Sequence, residues 1–305
     1  MLCVVFIAVA SVPVLSPLGV FFLPFPVLYF YSKLGRVPGA ALCIIALAVV
    51  AHVLQAVNSP YSWMFFFVFG ALGIILSETL RRNMSIEKTV TISTAAVLFM
   101  SVIAVILYGI VSGKGAGVFI TQYIAETVNE NIELYAQTGV SADQIELVRK
   151  SKTLITGIIL SLLPALTVTG TMFTVWINIL MGEVLFRRRG MWYPDFGDLS
   201  RWRCPDSLIW VVIAAAASLF IPWYPIKIIG MNVLIISIFI YMLRGFAVIS
   251  FYFRRKNIPI ILRVTGYAII FIQQLLLVLV AGLGLADIWF DFRNLDKNKK
   301  NNAEL

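Results

Sequence analysis

Long apolar segments separated by short polar turns run through almost the whole chain. After a first apolar stretch at residues 2–31, such segments cover residues 38–56, 63–80, 89–111, 154–186, 207–221, 228–253 and 260–285. Most approach the roughly 20 residues that a helix needs to cross about 30 Å of hydrocarbon, and none alternates as a membrane strand does. We therefore predict an all-α fold, a polytopic transmembrane helical bundle with eight or nine spans.

The uncertainty in the span count comes from the first stretch. Prolines interrupt it at Pro13, Pro17, Pro24 and Pro26. Because proline removes a backbone donor and clashes with the preceding turn, the stretch is predicted to be either one broken helix or two short helices that meet near Ser16. Whether residues 2–31 cross the membrane once or twice stays open.

Basic residues cluster at the ends of the apolar segments, where lysine and arginine record orientation. The clusters lie at residues 33–36, 81–88, 187–189 and 254–256. Pairs of spans separate them, so all are predicted to be cytoplasmic. The loop at residues 185–210, rich in arginine and tryptophan, is accordingly interpreted as an anchor and a docking surface rather than an active site. The polar tail at residues 287–305 also carries four basic residues, Arg293, Lys297, Lys299 and Lys300, and the side of both termini stays open.

The segment at residues 112–152 differs from the basic loops. Its first part carries three glutamates, and four apolar residues recur opposite them at every fourth position: Ile120, Ile124, Val128 and Ile132. This spacing is typical of an amphipathic helix. Gly139 suits a helix end, and Ser141 to Gln144 has the form of a capping box for a second helix. We predict an external amphipathic helical hairpin, with a lid over an external binding site as the alternative.

The predicted organisation has four parts. Residues 1–111 form an N-terminal transmembrane part with four or five spans, residues 112–152 form the external segment, residues 153–286 form a C-terminal transmembrane part with four spans, and residues 287–305 form the tail.

Composition narrows the functional classes. Hydrophobic residues make up 60% of the chain and charged residues 13%, whereas a soluble domain is about half apolar and a quarter charged. The net charge of +9 is confined to short loops, so no nucleic-acid partner is predicted. The three cysteines lack metal-site spacing, and no common enzyme motif is present. We predict no catalytic residues, cofactor or metal, and hence no enzyme.

Three polar residues near the outer end of one span are candidates for solute contact. His52, Gln55 and Asn58 follow one another at every third position, which places them on roughly one face of a helix. The ordinary explanation is hydrogen bonding to neighbouring helices, which membrane bundles use widely. Asn178 is a weaker candidate of the same kind.

Ionisable residues within apolar segments are the other candidates, because a charge at membrane depth is costly. Glu78 and Glu183 precede arginines by one turn, so local pairing explains both. Arg244 lies deepest, and it is predicted to snorkel or to pair with Glu183 or Glu78. The candidate substrate-binding residues are therefore His52, Gln55, Asn58, Asn178 and Arg244.

Two stretches, "PDFGDLSRWRCPDSLIW" and "GLGLADIWFDFRNL", resemble the YybS-like family of predicted bacterial membrane proteins. Members of that family share a W-x-x-P motif before one span and a D-x-W-x-D-F-R ending. The residues that match are Trp202, Pro205, Asp287, Trp289, Asp291, Phe292 and Arg293. The resemblance covers nearly the whole chain, but the family is not associated with any activity.

A fainter resemblance concerns the first five spans. The stretch "PFPVLYFYSKLGRVPGAALCII" is similar to the substrate-binding subunits of energy-coupling-factor transporters and to the rod-shape protein MreD. Such subunits hold a vitamin or metal on the outer side and dock on an ATP-driven module. No alanine-rich docking motif is evident here.

These observations predict a multi-pass protein of the bacterial inner membrane, in contact with the lipid bilayer. The first hypothesis is a transporter-like subunit that binds a small-molecule solute and has no ATPase of its own. The alternative is a scaffold that recruits a membrane or cytoplasmic protein partner through the 185–210 loop and the tail. An intramembrane enzyme is the third.

Overall fold

A computed structural model describes residues 19–56, 62–113, 115–138 and 141–294. These residues form eleven α-helices and two short 3-10 turns, Val20–Phe22 and Leu199–Arg201, and contain no strand. The all-α prediction is confirmed. The helices, numbered in chain order, are α1 Pro24–Leu34, α2 Arg36–Ala56, α3 Ser62–Arg81, α4 Ile86–Val111, α5 Ala116–Ala136, α6 Ala142–Lys150, α7 Lys152–Arg188, α8 Leu208–Ser218, α9 Tyr224–Arg255, α10 Ile260–Ile272 and α11 Gln274–Phe290.

The chain divides into two compact units, one ending at Asp195 and the other beginning at Phe196. In the first unit, α1 packs against α2 and α3. Proline occupies the first turn of α1, where no backbone donor is needed, and Gly35 ends it with a φ of 91°. The predicted break at Ser16 lies outside the described residues. Cys43 is buried in the core between α1 and α2, together with Val27 and Ala46.

Helix α7 continues through Pro164 for 37 residues. At 1.5 Å per residue it is about 55 Å long, much more than the hydrocarbon thickness. The apolar face of α5 lies on the N-terminal part of α7: Ile124, Val128 and Ile132 pack against a set that includes Ile155 and Ile159. The predicted amphipathic helix is therefore present, with its apolar face buried.

The second helix of the predicted hairpin, α6, also forms and contacts both α5 and α7. Ser141 is its N-cap residue, but the Ser141 side chain makes no capping hydrogen bond, so the predicted capping box is wrong. Gly139 lies outside the described residues, and α5 already ends at Ala136. The external location of this hairpin stays a prediction.

Three helices in the described parts of the chain are long and apolar enough to cross a membrane: α4, α7 and α9. A fourth crossing results if α10 and α11 together form one span. The predicted count of eight or nine is thus not confirmed. The end of α2 and the beginning of α3, residues 53–56 and 62–66, have side chains outside the described set, and α8, with 11 residues, is short for a crossing.

The predicted last span, residues 260–285, is not one straight helix. It is bent by 106° between α10 and α11. The break falls at Gln273, whose backbone is extended with φ −97° and ψ 101°. Gln273 and Gln274 are both exposed, so the bend occurs where two amide side chains interrupt an otherwise apolar segment.

In the second unit, α9 packs against α8 and α11. Glycines allow the backbones of α9 and α11 to approach very closely. A Cβ on Gly284 would lie 1.9 Å from the carbonyl oxygen of Tyr241, and one on Gly245 would lie 2.0 Å from that of Val280. Small residues at a helix interface permit such packing in membranes, and this contact sets the spacing of the polar groups described below.

Substitution of Gly284 tests the close contact of α9 and α11. Gly284→Ala places a methyl group against backbone atoms that cannot rotate away, so we expect the free energy of unfolding to fall by about 1–3 kcal/mol. Gly282→Ala is the matched control on the same helix, because a Cβ there meets nothing within 4 Å. Thermal unfolding of the purified variants in detergent measures both effects. Equal melting temperatures for the two variants would contradict the proposed contact.

Candidate functional site

Three fully buried charged side chains meet in the second unit. Arg244 comes from α9, Asp287 from the last turns of α11, and Arg293 from the turn that follows α11, and each is only 1% exposed. We call these three residues the buried charge cluster. Arg244 was predicted from its depth alone, whereas Asp287 and Arg293 belong to the motif at the end of the chain.

One carboxylate oxygen holds the cluster together. Oδ2 of Asp287 accepts a hydrogen bond from Nε of Arg244 at 3.0 Å and another from Nη2 of Arg293 at 2.7 Å. Two guanidinium groups therefore share one aspartate, and the three side chains carry a net charge of +1. Charges buried in this way are costly to desolvate and persist only where hydrogen bonds compensate them.

Arg293 also holds a loop. Its Nη1 donates to the carbonyl oxygen of Ser200 at 2.8 Å and to that of Trp202 at 2.9 Å. Both carbonyls belong to residues 196–207, which lie before α8 and which we call the platform loop. Apart from the 3-10 turn Leu199–Arg201 the platform loop is irregular, yet Ser200 and Cys204 are buried. The buried arginine thus fixes the path of this loop.

Arg244 extends the cluster towards solvent. Its Nη1 lies 3.5 Å from Oδ1 of Asp206, whose side chain is 74% exposed, and 3.8 Å from Sγ of Cys204. Burial raises the pKa of the Cys204 thiol, and the nearby Arg244 only partly offsets that effect. Because the thiolate is the reactive form, this geometry does not activate Cys204 as a nucleophile.

Further contacts join the platform loop to the ends of α9 and α11. Arg203 forms an ion pair with Asp291, which ends α11 in a left-handed conformation with φ 38°. Tyr252 donates a hydrogen bond to the carbonyl oxygen of Phe292 at 2.8 Å. Arg254 pairs with Asp198 at 2.7 Å. These contacts connect residues that are 88, 40 and 56 positions apart in the sequence.

Asp198 is the N-cap of the 3-10 turn in the platform loop. Partial burial alone would raise its pKa, but the hydrogen bonds from the amide and hydroxyl of Ser200, together with Arg254 and Arg201, outweigh that effect and hold the pKa below its ordinary value. Asp198 is consequently a carboxylate at neutral pH, and it links the loop to the end of α9.

The residues of the two family motifs lie in and around the platform loop and the end of α11, but they contribute in different ways. Asp287, Asp291 and Arg293 take part through their side chains, whereas Trp202 and Phe292 offer backbone carbonyls. Pro205 precedes α8, and its carbonyl accepts from the amide of Leu208. Trp289 is 65% exposed. The sequence did not single out Cys204, Asp206 or Arg203. The folded loop brings Cys204 and Asp206 to Arg244, and it brings Arg203 to Asp291.

The predicted solute-binding residues are not gathered into one site among the described residues. His52 is exposed on α2, the Gln55 side chain and all of Asn58 lie outside the described set, and Arg244 belongs to the buried charge cluster. Asn178 is buried on α7, where Nδ2 donates to the carbonyl oxygens of Phe21 and Thr174. Asn178 is thus engaged by backbone, and the external solute site stays a prediction.

The two glutamates predicted as possible partners of Arg244 have arginine partners in the first unit. Glu183 pairs with Arg187 one turn away, as predicted. Glu78 lies at 2.9 Å from Arg36 and at 4.0 Å from Arg81, so its closer partner comes from another helix. The prediction that Arg244 pairs with Glu183 or Glu78 is wrong, because Asp287 occupies that role. Within the described ranges, no group of three or more potential metal ligands occurs.

Asp287→Asn tests whether the cluster holds the second unit together. The substitution keeps the shape and removes the only buried negative charge of the cluster, so we expect a loss of about 3–5 kcal/mol in unfolding free energy. Glu146→Gln is the control. It removes the same charge from an exposed pair with Lys150, where the expected loss is at most about 1 kcal/mol. Chemical unfolding in mixed micelles measures both, and similar losses would rule out the central role of Asp287.

Comparison with known proteins places the chain in a family. The model of the family described as "Predicted membrane protein (DUF2232)" matches residues 1–288. The chain is 24% identical over 303 residues to "Uncharacterized protein YybS" of Bacillus subtilis (strain 168), a match that covers 95% of this chain and 93% of the relative. No solved structure matches. The predicted resemblance to the YybS-like family is confirmed, and the chain belongs to the DUF2232 family of predicted membrane proteins.

Proposed function

We propose that this protein is a multi-pass scaffold of the bacterial inner membrane, whose platform loop is a cytoplasmic docking surface for another protein. The proposal assigns no catalytic step to the chain. Of the hypotheses drawn from the sequence, it corresponds to the membrane scaffold that recruits a partner through its arginine-rich loop and the end of the chain.

The orientation rests on the distribution of basic residues. Helix α9 ends at Arg255, directly beside Arg254 and Lys256, and Arg254 pairs with Asp198 of the platform loop. This end of α9 is therefore the one that the positive-inside rule places in the cytoplasm, and the platform loop lies next to it.

The observation that carries the proposal is the fixed shape of the platform loop. Connecting loops are usually among the more mobile parts of a protein, but here Arg293, itself fully buried, binds two loop carbonyls. Buried charges add little net stability and in some systems serve to specify one conformation. The buried charge cluster holds the platform loop in one conformation. The loop therefore loses its conformational entropy on folding rather than on binding, which lowers the free-energy cost of docking a partner.

Charge indicates the chemistry of the partner. The exposed cations around the platform loop are Arg201, whose side chain is 63% exposed, Arg255 and Lys256, with Arg254 paired to Asp198. The exposed carboxylates near them are Asp198 and Asp206. The surface is therefore mainly positive, which favours a partner with an acidic face. Charges at an interface rim steer association and make it sensitive to salt.

Site-specific photocrosslinking in intact cells tests the docking proposal. We expect a photoreactive amino acid at position 201 to give a discrete crosslinked protein, because Arg201 lies exposed on the platform loop. The control position is Phe220, which is 88% exposed beyond the opposite end of α8. The adduct at position 201 should be lost with Arg255→Glu and Lys256→Glu together, which reverse the surface charge and leave the buried charge cluster intact.

Two results would contradict the proposal. One is the absence of any protein adduct at position 201 while the chain is present at wild-type levels. The other is the same set of adducts at positions 201 and 220, since that would show random collisions in the membrane rather than docking on one surface.

A further inference from the structure

The first unit contains a cavity of about 340 Å³. It lies where the basic ends of α1, α3 and α7 meet the short segment that follows α7. Its polar lining consists of Ser32, Lys33, Ser77 and Arg81, and its other walls come from Leu80, Phe186 and residues 191–194. We call it the cationic cavity.

The charge of the lining is positive and uncompensated within the cavity wall. Lys33 and Arg81 line it, and no carboxylate does. Glu78, on the same helix as Ser77 and Arg81, accepts hydrogen bonds from Nε and Nη2 of Arg36 at 3.0 and 2.9 Å and from the hydroxyl of Tyr31 at 3.0 Å. The charge of Glu78 is therefore mainly neutralised by Arg36. An anion in the cavity would interact with the two lining cations, Lys33 and Arg81.

Arg81 is held in place before any ligand arrives. Its Nη2 donates to the carbonyl oxygens of Tyr31 at 3.2 Å and Ser32 at 3.4 Å, and its guanidinium carbon lies 5.4 Å from the centre of the Tyr31 ring. These contacts use one of three guanidinium nitrogens. Nη1 forms an ion pair with Oε1 of Glu78 at 4.0 Å, which is too long for a hydrogen bond. Because an arginine has five N–H donors in a fixed fork, the donors on Nε and Nη1 can still bind an oxyanion.

Two serines add neutral donors to the same wall. The hydroxyl oxygens of Ser32 and Ser77 are 2.7 Å apart, so one hydroxyl hydrogen lies between them and the other can point to a ligand. Ser77 is fully buried. Cations that stand beside hydroxyl donors are the groups that recognise phosphate oxygens.

The remaining walls are apolar. Leu80 and Phe186 are buried, and Trp192 is 59% exposed. Tryptophan is enriched at the level of lipid headgroups, and basic pockets between membrane helices on the cytoplasmic side bind anionic headgroups. We propose that the cationic cavity is a binding site for a phosphate-bearing anion, either the headgroup of an anionic lipid or a soluble phosphate ester. This inference does not depend on the docking role of the platform loop.

Lipid-dependent thermal stability of the full-length protein tests the site. Protein purified in a neutral detergent is titrated with phosphatidylglycerol, with phosphatidylcholine and, separately, with inorganic phosphate and glycerol 3-phosphate. A ligand that binds only the folded state raises the melting temperature. We expect phosphatidylglycerol to raise it more than phosphatidylcholine does. A rise with glycerol 3-phosphate but not with the anionic lipid also supports the site and identifies a soluble source.

Variants locate the effect. Lys33→Gln removes an exposed lining charge whose Nζ lies 6.0 Å from the centre of the Tyr29 ring. The fold should tolerate this substitution, and the apparent dissociation constant should rise about fivefold. Arg82→Gln is the matched control, because Arg82 is an exposed cation beside Arg81 that does not line the cavity. Ser32→Ala should weaken binding without any change in charge.

Two outcomes would overturn the proposal. If none of the phosphate compounds stabilises the wild-type protein more than phosphatidylcholine does, the cavity binds no such anion. If Lys33→Gln and Arg82→Gln weaken binding equally, the anions are attracted by general surface charge rather than held in this cavity.

Discussion

The second unit depends on one carboxylate oxygen, Oδ2 of Asp287, which accepts hydrogen bonds from Arg244 and Arg293. The bond to Arg244 joins α11 to α9, and the bond to Arg293 positions the guanidinium that binds the platform loop. Both can form because Gly245 and Gly284 allow the two helices to touch backbone to backbone. Helix packing, charge pairing and loop conformation are therefore coupled at a single site.

The first unit uses charge differently. Its arginines pair near helix ends, as Arg36 does with Glu78 and Arg187 with Glu183, and these pairs are partly exposed. Pairs of this kind contribute little to stability, but they leave the cavity between α1, α3 and α7 with a positive lining. Buried arginines thus fix the platform loop in the second unit, whereas partly exposed basic residues line the cationic cavity in the first.

The sequence alone predicted the helical class, the amphipathic face of α5 and the depth of Arg244, because each of these depends on local periodicity or composition. It was not sufficient for the partner of Arg244. Asp287 lies at the end of another helix, and only tertiary packing brings the two together. The bend at Gln273 was missed for a similar reason, since apolar residues on both sides give the same hydropathy as a straight span. The motif residues were recognisable, but their convergence required the structure.

Hydrogen–deuterium exchange of the platform loop tests the central claim most directly. The amides of Ser200, Arg201 and Trp202 are hydrogen-bonded within the 3-10 turn and should exchange slowly in the wild-type protein. In Arg293→Gln these amides should exchange much faster, whereas Arg255→Gln, which removes an exposed charge from the end of α9, should leave them protected. Fast exchange of the loop in the wild-type protein, or unchanged protection in Arg293→Gln, would contradict the claim that the buried charge cluster fixes this loop.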